Sequence, residues 1–242
     1  TALSDDTHFD SKVVHAGQSY EQVTGAIMPP IFLSSTYIQE SPGVHTGFEY
    51  TRSHNPTRYA LERCIARLES SQLTEEQDVS FGGFAFSSGM AAISTTLDLL
   101  TSGDHVIAMD DLYGGTNRLF NHVKRRTSNL QFSFRDLTNL NSLEEAITEK
   151  TKLIWIETPT NPMLKLIDLE GVVSIAQNRG ILLACDNTFS TPALQRPLEL
   201  GFDIVMHSAT KYLGGHSDVV SGLLVTDNQE LAERIRFVHN SA

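Results

Sequence analysis

The sequence is short of cysteine and of positive charge, and it has no uninterrupted apolar run long enough to cross a bilayer. Its two cysteines, Cys64 and Cys185, are far apart and form no C-x-x-C pair, so neither a disulfide nor a dithiol redox motif is expected. Cys64 falls in an amphipathic segment and Cys185 ends an apolar run, so each reads as a small buried residue rather than a nucleophile. The nine histidines have no H-E-x-x-H or comparable spacing, and no metal site is expected. Eighteen Lys and Arg stand against 29 Asp and Glu, a net charge of -11 that repels nucleic-acid backbones. The basic cluster Lys124, Arg125 and Arg126 reads as the solvated face of a helix. The start, Thr1 to Lys12, is polar and acidic and does not read as a secretory signal, so a cytoplasmic protein without membrane or nucleic-acid partners is expected.

What is present is an α/β pattern. Hydrophobic residues make up 40% of the 242 positions, enough for one large domain or two smaller ones. Residues 1–55 have little periodicity and many Gly, Pro, Ser and Thr residues; they read as an extended arm that packs on another subunit or across its own domain. Residues 56–242 read as the catalytic domain. Asn55-Pro56 supplies an N-cap and a first-position proline to a helix of about four turns, with Leu61, Cys64, Ile65 and Leu68 on one face. Gln72 to Gly83, polar and then glycine-rich, reads as a mobile loop.

Beyond it, strands are expected at His105 to Met109, Leu153 to Glu157, Ile181 to Cys185, Asp203 to Met206 and Gly222 to Thr226. Helices are expected at Gly89 to Leu100, Thr116 to Arg126, Ser142 to Lys150 with a Ser142/Glu145 capping box, and Leu169 to Arg179 closed by Gly180. The alternation implies βαβ units and a mostly parallel sheet, of a seven-stranded type, covered by helices.

In such sheets ligands bind beyond the carboxyl ends of the strands, and four polar runs fall there. Phe86-Ser87-Ser88-Gly89-Met90 opens a helix whose free amides suit a phosphate, although a Ser before a helix is usually only a cap. Asp186 ends a buried strand and needs a cation or several donors, unless it merely caps a turn. In Ser208-Ala209-Thr210-Lys211-Tyr212 two hydroxyls flank an amine, which suits a phosphate beside a covalently held aldehyde; desolvation would lower that amine's proton affinity. A lone lysine in a turn would more often be a surface residue. Tyr113, followed by Gly114-Gly115, can stack on a planar ring or simply pack half-buried. Together the four runs supply phosphate donors, a ring-nitrogen partner, a stacking ring and an imine-forming lysine, the set that pyridoxal 5'-phosphate (PLP) requires.

Six runs in order, Tyr50 to Thr57, Ser87 to Met90, Tyr113 to Arg118, Glu157 to Pro162, Asp186 to Thr188 and Ser208 to Tyr212, resemble the Cys/Met-metabolism PLP-dependent enzymes of fold type I over nearly the whole chain. The resemblance implies that Lys211 holds PLP as a Schiff base, Asp186 pairs with the pyridine nitrogen, and Tyr113 stacks on the ring and assists proton transfer. It implies phosphate contacts from Ser88, Gly89, Met90, Ser208 and Thr210, a cofactor contact from Thr188, and Asn161 near the phenolic oxygen. It also implies that Tyr50 and Arg52 complete the phosphate site of a neighbouring subunit, in a homodimer or homotetramer with shared active sites. Family chains continue past the equivalent of residue 242 into a smaller domain that supplies the Arg for the substrate carboxylate. The motifs Tyr113 to Arg118, Glu157 to Pro162 and Gly215 to Val220 look closest to the cystathionine γ-lyases of transsulfuration, which release cysteine, 2-oxobutanoate and ammonia from a small amino-acid substrate. Cystathionine γ-synthases and β-lyases share most of the motifs. Methionine γ-lyases usually have Cys where this chain has Gly115, which disfavours that branch. The non-enzymatic alternative is a PLP-binding regulator or an inactive fragment.

Overall fold

The computed structural model describes residues 7–70, 72–73 and 82–241; most of the glycine-rich loop expected at Gln72 to Gly83 therefore lies outside the described residues. Helix α1 (Phe9–His15) packs on α2 (Pro56–Glu69). Then follow β1 (Gly83–Phe86), α3 (Gly89–Leu97), β2 (His105–Met109) and α4 (Gly114–Arg118), which runs through one wide π turn, Leu119–Lys124, into α5 (Arg125–Thr127). The chain continues with β3 (Gln131–Arg135), α6 (Leu140–Ala146), β4 (Thr151–Glu157), α7 (Leu169–Ala176), β5 (Leu182–Asp186), α8 (Thr191–Leu194), α9 (Pro197–Leu200), β6 (Ile204–His207), β7 (Gly222–Val225) and α10 (Gln229–Ser241).

Seven strands form one sheet in the order β1-β7-β6-β5-β4-β2-β3. Pairs from β3 through β6 are parallel, and β7 runs antiparallel to both β6 and β1, so the mostly parallel sheet expected from the sequence is the one that forms. The central strands β2 and β4 to β6 are buried on both faces, which is why they read as unbroken apolar runs. One core layer, centred on Trp155, Phe120 and Leu153, lies on the α3 face; a smaller one, with Ile65, Val205 and Leu223, lies under α2. Crossover topology leaves the carboxyl ends of β2, β4, β5 and β6 on one rim, beside the start of α3.

Four expectations need correction. Residues 1–55 are not arm throughout: α1 forms, followed by the fully buried Ala16, although Val23, Leu33 and Ile38 further along are each more than 90% exposed. The Ser142/Glu145 box does not form, because Asn139 caps α6 one residue before Leu140, its Oδ1 accepting from Asn141 N at 3.1 Å. Helices α6 and α7 end sooner than expected, at Ala146 and Ala176. Lys124 is not on a solvated face: it is buried, with its ammonium paired to Asp98 at the end of α3. Cys64 and Cys185 are both free thiols, part-buried and fully buried, and burial pushes each up from the ordinary thiol range. Among the described residues no helix is long and apolar enough to cross a membrane, and no three His, Cys, Asp or Glu side chains gather as for a metal.

Candidate active site

The strand ends and the start of α3 surround a cavity of about 260 Å³. At its base β4 ends in Glu157 and β5 in Asp186, paired in register, buried, and both lining the cavity. Asp186 Oδ1 accepts from the amide and the hydroxyl of Thr188. Glu157 uses both oxygens: Oε2 accepts from Tyr113 N at 3.0 Å and Oε1 from Asn161 N at 2.8 Å. It thus fastens two loops, and Asp111 fastens the same two again, accepting from the Thr160 hydroxyl and from Met163 N at 3.0 Å.

Desolvation dominates the electrostatics. It pushes Glu157 up to about 8, the charge of neighbouring Asp186 adds to the rise, and the Tyr113 and Asn161 amides oppose it. Asp186 is raised by burial too, against the Thr188 donors and His207. Two adjacent buried carboxyls hold negative charge poorly without a cation, so a cationic group bound in the cavity would favour their charged forms.

Across the cavity lies a cradle for an anion. Ser88 Oγ accepts from Ala91 N at 3.2 Å, so that hydroxyl acts as the ordinary cap of α3. The first amides of α3, at Gly89 and Met90, have no partner within the helix and lie on the cavity wall. Gly89 is required there, since a Cβ would come within 2.9 Å of Ser208 Cβ. Ser208 and Thr210 line the same side; Ser208 N donates to Thr188 Oγ1 at 2.9 Å, and Thr210 Oγ1 accepts from Ser221 N at 3.1 Å.

Lys211 and Tyr113 stand at the mouth. Lys211 lines the cavity but is exposed, so the desolvation expected of it is not provided by this chain's described residues. Tyr113 is 45% exposed, and its ring occupies the space that a Cβ on Gly115 would enter, so only glycine permits this ring position. Ten of the twelve residues singled out from the sequence therefore meet at one cavity. Tyr50 and Arg52 do not line it: Arg52 Nη1 donates to Asn240 O at 3.1 Å, and its guanidinium lies 5.6 Å from the centre of the Tyr50 ring. Sequence reasoning missed Glu157 as a site residue, although a carboxylate ending an apolar strand is the signal that singled out Asp186.

The profile of the Cys/Met metabolism PLP-dependent enzyme family matches residues 10–242. A cystathionine beta-lyase of Coxiella burnetii is 55% identical over 236 residues, covering 97% of this chain and 59% of that protein. A cystathionine gamma-lyase of Dictyostelium discoideum is 50% identical over 232 residues, covering 96% and 57%. The fold superposes on the crystal structure of a cystathionine gamma-lyase from Lactobacillus plantarum complexed with L-serine, with a TM-score of 0.90, 43% identity, and coverage of 97% of this chain and 59% of that one. The chain thus spans less than two thirds of the length of these relatives.

Proposed function

The chain belongs to the Cys/Met metabolism PLP-dependent enzyme family, and from that premise we propose that the whole protein is a carbon-sulfur lyase acting on L-cystathionine, with γ-elimination as its reaction: cystathionine and water give cysteine, 2-oxobutanoate and ammonia. The observation that carries the reading is one cavity lined together by Lys211, by Glu157 and Asp186, and by Gly89 and Ser208. That donor set fits PLP at both ends, with buried carboxyls for the ring nitrogen and small residues with helix-start amides for the phosphate. Asp186 and Glu157 would hold the ring nitrogen, Gly89, Met90, Ser208 and Thr210 the phosphate, Asn161 the phenolic edge and Tyr113 the ring face.

When bound, PLP supplies an electron sink for negative charge developing at the substrate Cα. Lys211 would carry the proton traffic: its Nζ takes the Cα proton, gives it up again to the conjugated system, and is then free to take a Cβ proton, which it returns to the γ-sulfur as that leaves as the cysteine thiol. Its long stem at the open mouth suits a base that must reach two carbons. Tyr113, tied through its amide to Glu157, lines the mouth of the cavity and would stack on the cofactor ring. Thr188 donates to Asp186 Oδ1, a bond that would orient this carboxylate for a ring nitrogen.

The competing reading is β-elimination, favoured by the 55% identity to a protein named a beta-lyase. Product analysis on the whole protein with L-cystathionine separates the two. Cysteine with 2-oxobutanoate is expected, whereas predominant homocysteine with pyruvate would move the assignment to β-lyase.

The reading extends to assembly. Tyr50 and Arg52 lie off their own chain's cavity, on a segment with exposed apolar side chains such as Ile27, Leu33 and Ile38. They would serve the phosphate site of a second copy, in a homodimer or a homotetramer built from such pairs.

A further inference from the structure

Behind the cavity, on the α2 face of the sheet, lies a second polar cluster that the chemistry above does not use. Glu69, the last residue of α2, and His207, the last of β6, are both wholly buried and paired through Oε1 and Nε2. Asn187, also wholly buried, donates from Nδ2 to the same Glu69 oxygen at 3.2 Å and to Gln195 O at 2.8 Å. Gln195 Nε2 returns to Asn187 Oδ1 at 3.0 Å and reaches Thr158 O at 3.5 Å.

Each network residue at a strand end adjoins one that lines the cavity. Thr158 follows Glu157, Asn187 follows Asp186, and His207 precedes Ser208. His207 lies within β6, whose side chains alternate across the sheet, and Asn187 and the Thr158 carbonyl come directly after β5 and β4, so the cluster holds these strand ends next to the residues that form the site. Its chemistry is a poor choice for stability alone: a wholly buried carboxyl–imidazole pair desolvates both groups, and apolar residues of similar volume often match or better such buried pairs. Here Glu69 Oε2 and His207 Nδ1 also lack a hydrogen-bond partner among the described residues.

We infer that Glu69 is a positioning residue for the cofactor site, acting through His207 and Asn187 to lock the ends of β5 and β6 so that Asp186 and Ser208 face one cavity. The inference rests on the reading of that cavity as a PLP site. A second route runs the same way, since His207 lowers the proton affinity of Asp186 against the effect of burial and so favours the charged carboxylate that a ring nitrogen requires.

The test measures PLP affinity, by equilibrium dialysis, and the thermal midpoint of the apoprotein in parallel. Glu69→Leu combined with His207→Leu replaces the pair by apolar side chains. The midpoint should hold or rise, while PLP binds about tenfold more weakly or worse, the usual scale for outer partners of a bound group. Equal PLP affinity with a preserved midpoint overturns the inference, because the pair then only fills space. If the double variant does not fold, Gln195→Ala decides at the half-buried end of the network. A loss of about threefold or more in PLP affinity with an unmoved midpoint supports positioning, and unchanged affinity overturns it. Failure of the unaltered protein to bind PLP overturns the site reading as well, whereas unaltered binding with no response in the variants sinks the inference alone.

Discussion

Glu62 sits on α2 beneath β1, 4% exposed, accepting from Ala85 N at 2.8 Å with Arg58 Nε 3.2 Å away. The guanidinium does not outweigh burial, which pushes this carboxyl up to about 7 from an ordinary 4.5. A folded-state value above the unfolded one means that the contribution to stability is full below about pH 4.5 and is lost as pH rises through about 7. At about 1.4 kcal/mol per unit the loss amounts to roughly 3 kcal/mol at most. Glu62→Gln keeps an acceptor and removes the titration. Denaturant unfolding of the apoproteins at pH 5 and pH 8 should find the variant gaining relative to the unaltered protein at pH 8; an unchanged difference between the two pH values would refute the assignment. At this scale the sequence was legible where one residue carries its own signal, as Asp186 does at the end of an apolar run. The Glu69–His207 pair joins positions 138 apart, and nothing local announces it.

Among the elements, α2 was the most legible, because its start is written in adjacent residues. Asn55 Oδ1 accepts from Thr57 N at 2.9 Å and from Arg58 N at 3.2 Å, with Pro56 at the first position. The same side chain does a second job that the sequence does not announce, donating from Nδ2 to Phe32 O at 3.0 Å and so tethering the arm to the helix. Asn55→Asp should keep the cap and lose the tether, whereas Asn55→Ala loses both. Thermal unfolding of the apoproteins should therefore rank them unaltered, Asp, Ala, with the Ala variant down by about 1 to 2 kcal/mol. An Asp variant as unstable as Ala would mean that the cap contributes nothing. Strands β1 and β3 escaped notice for different physical reasons: β3, at an edge of the sheet, alternates polar and apolar residues instead of showing an unbroken apolar run, and β1 is only four residues long and starts in the glycine-rich stretch. Asn139 won over Ser142 as the cap of α6 because the helix begins at Leu140, two residues before Ser142.

For the whole molecule, the question is where Arg52 acts. Its guanidinium suits bidentate phosphate binding, yet in its own chain it is engaged by a backbone carbonyl at the end of α10, off the cavity. If it completes the site of a second copy, removing it should weaken PLP retention there by about 1.5 to 3 kcal/mol, the range for a hydrogen bond to a charged group. Shared sites also make a prediction that no single-chain site can meet. Lys211→Ala and Arg52→Ala are each expected to be inactive or nearly so. When the two are dissociated, mixed and reassembled, a mixed dimer has one site that carries both substitutions, one from each chain. Its second site has an intact Lys211 from one chain and an intact Arg52 from the other, so part of the activity should return. Mixed oligomers that form, by native mass spectrometry, and yet stay as inactive as either parent would show that each chain's Arg52 serves its own site, and the arm would then have to swing from α10 toward its own cavity.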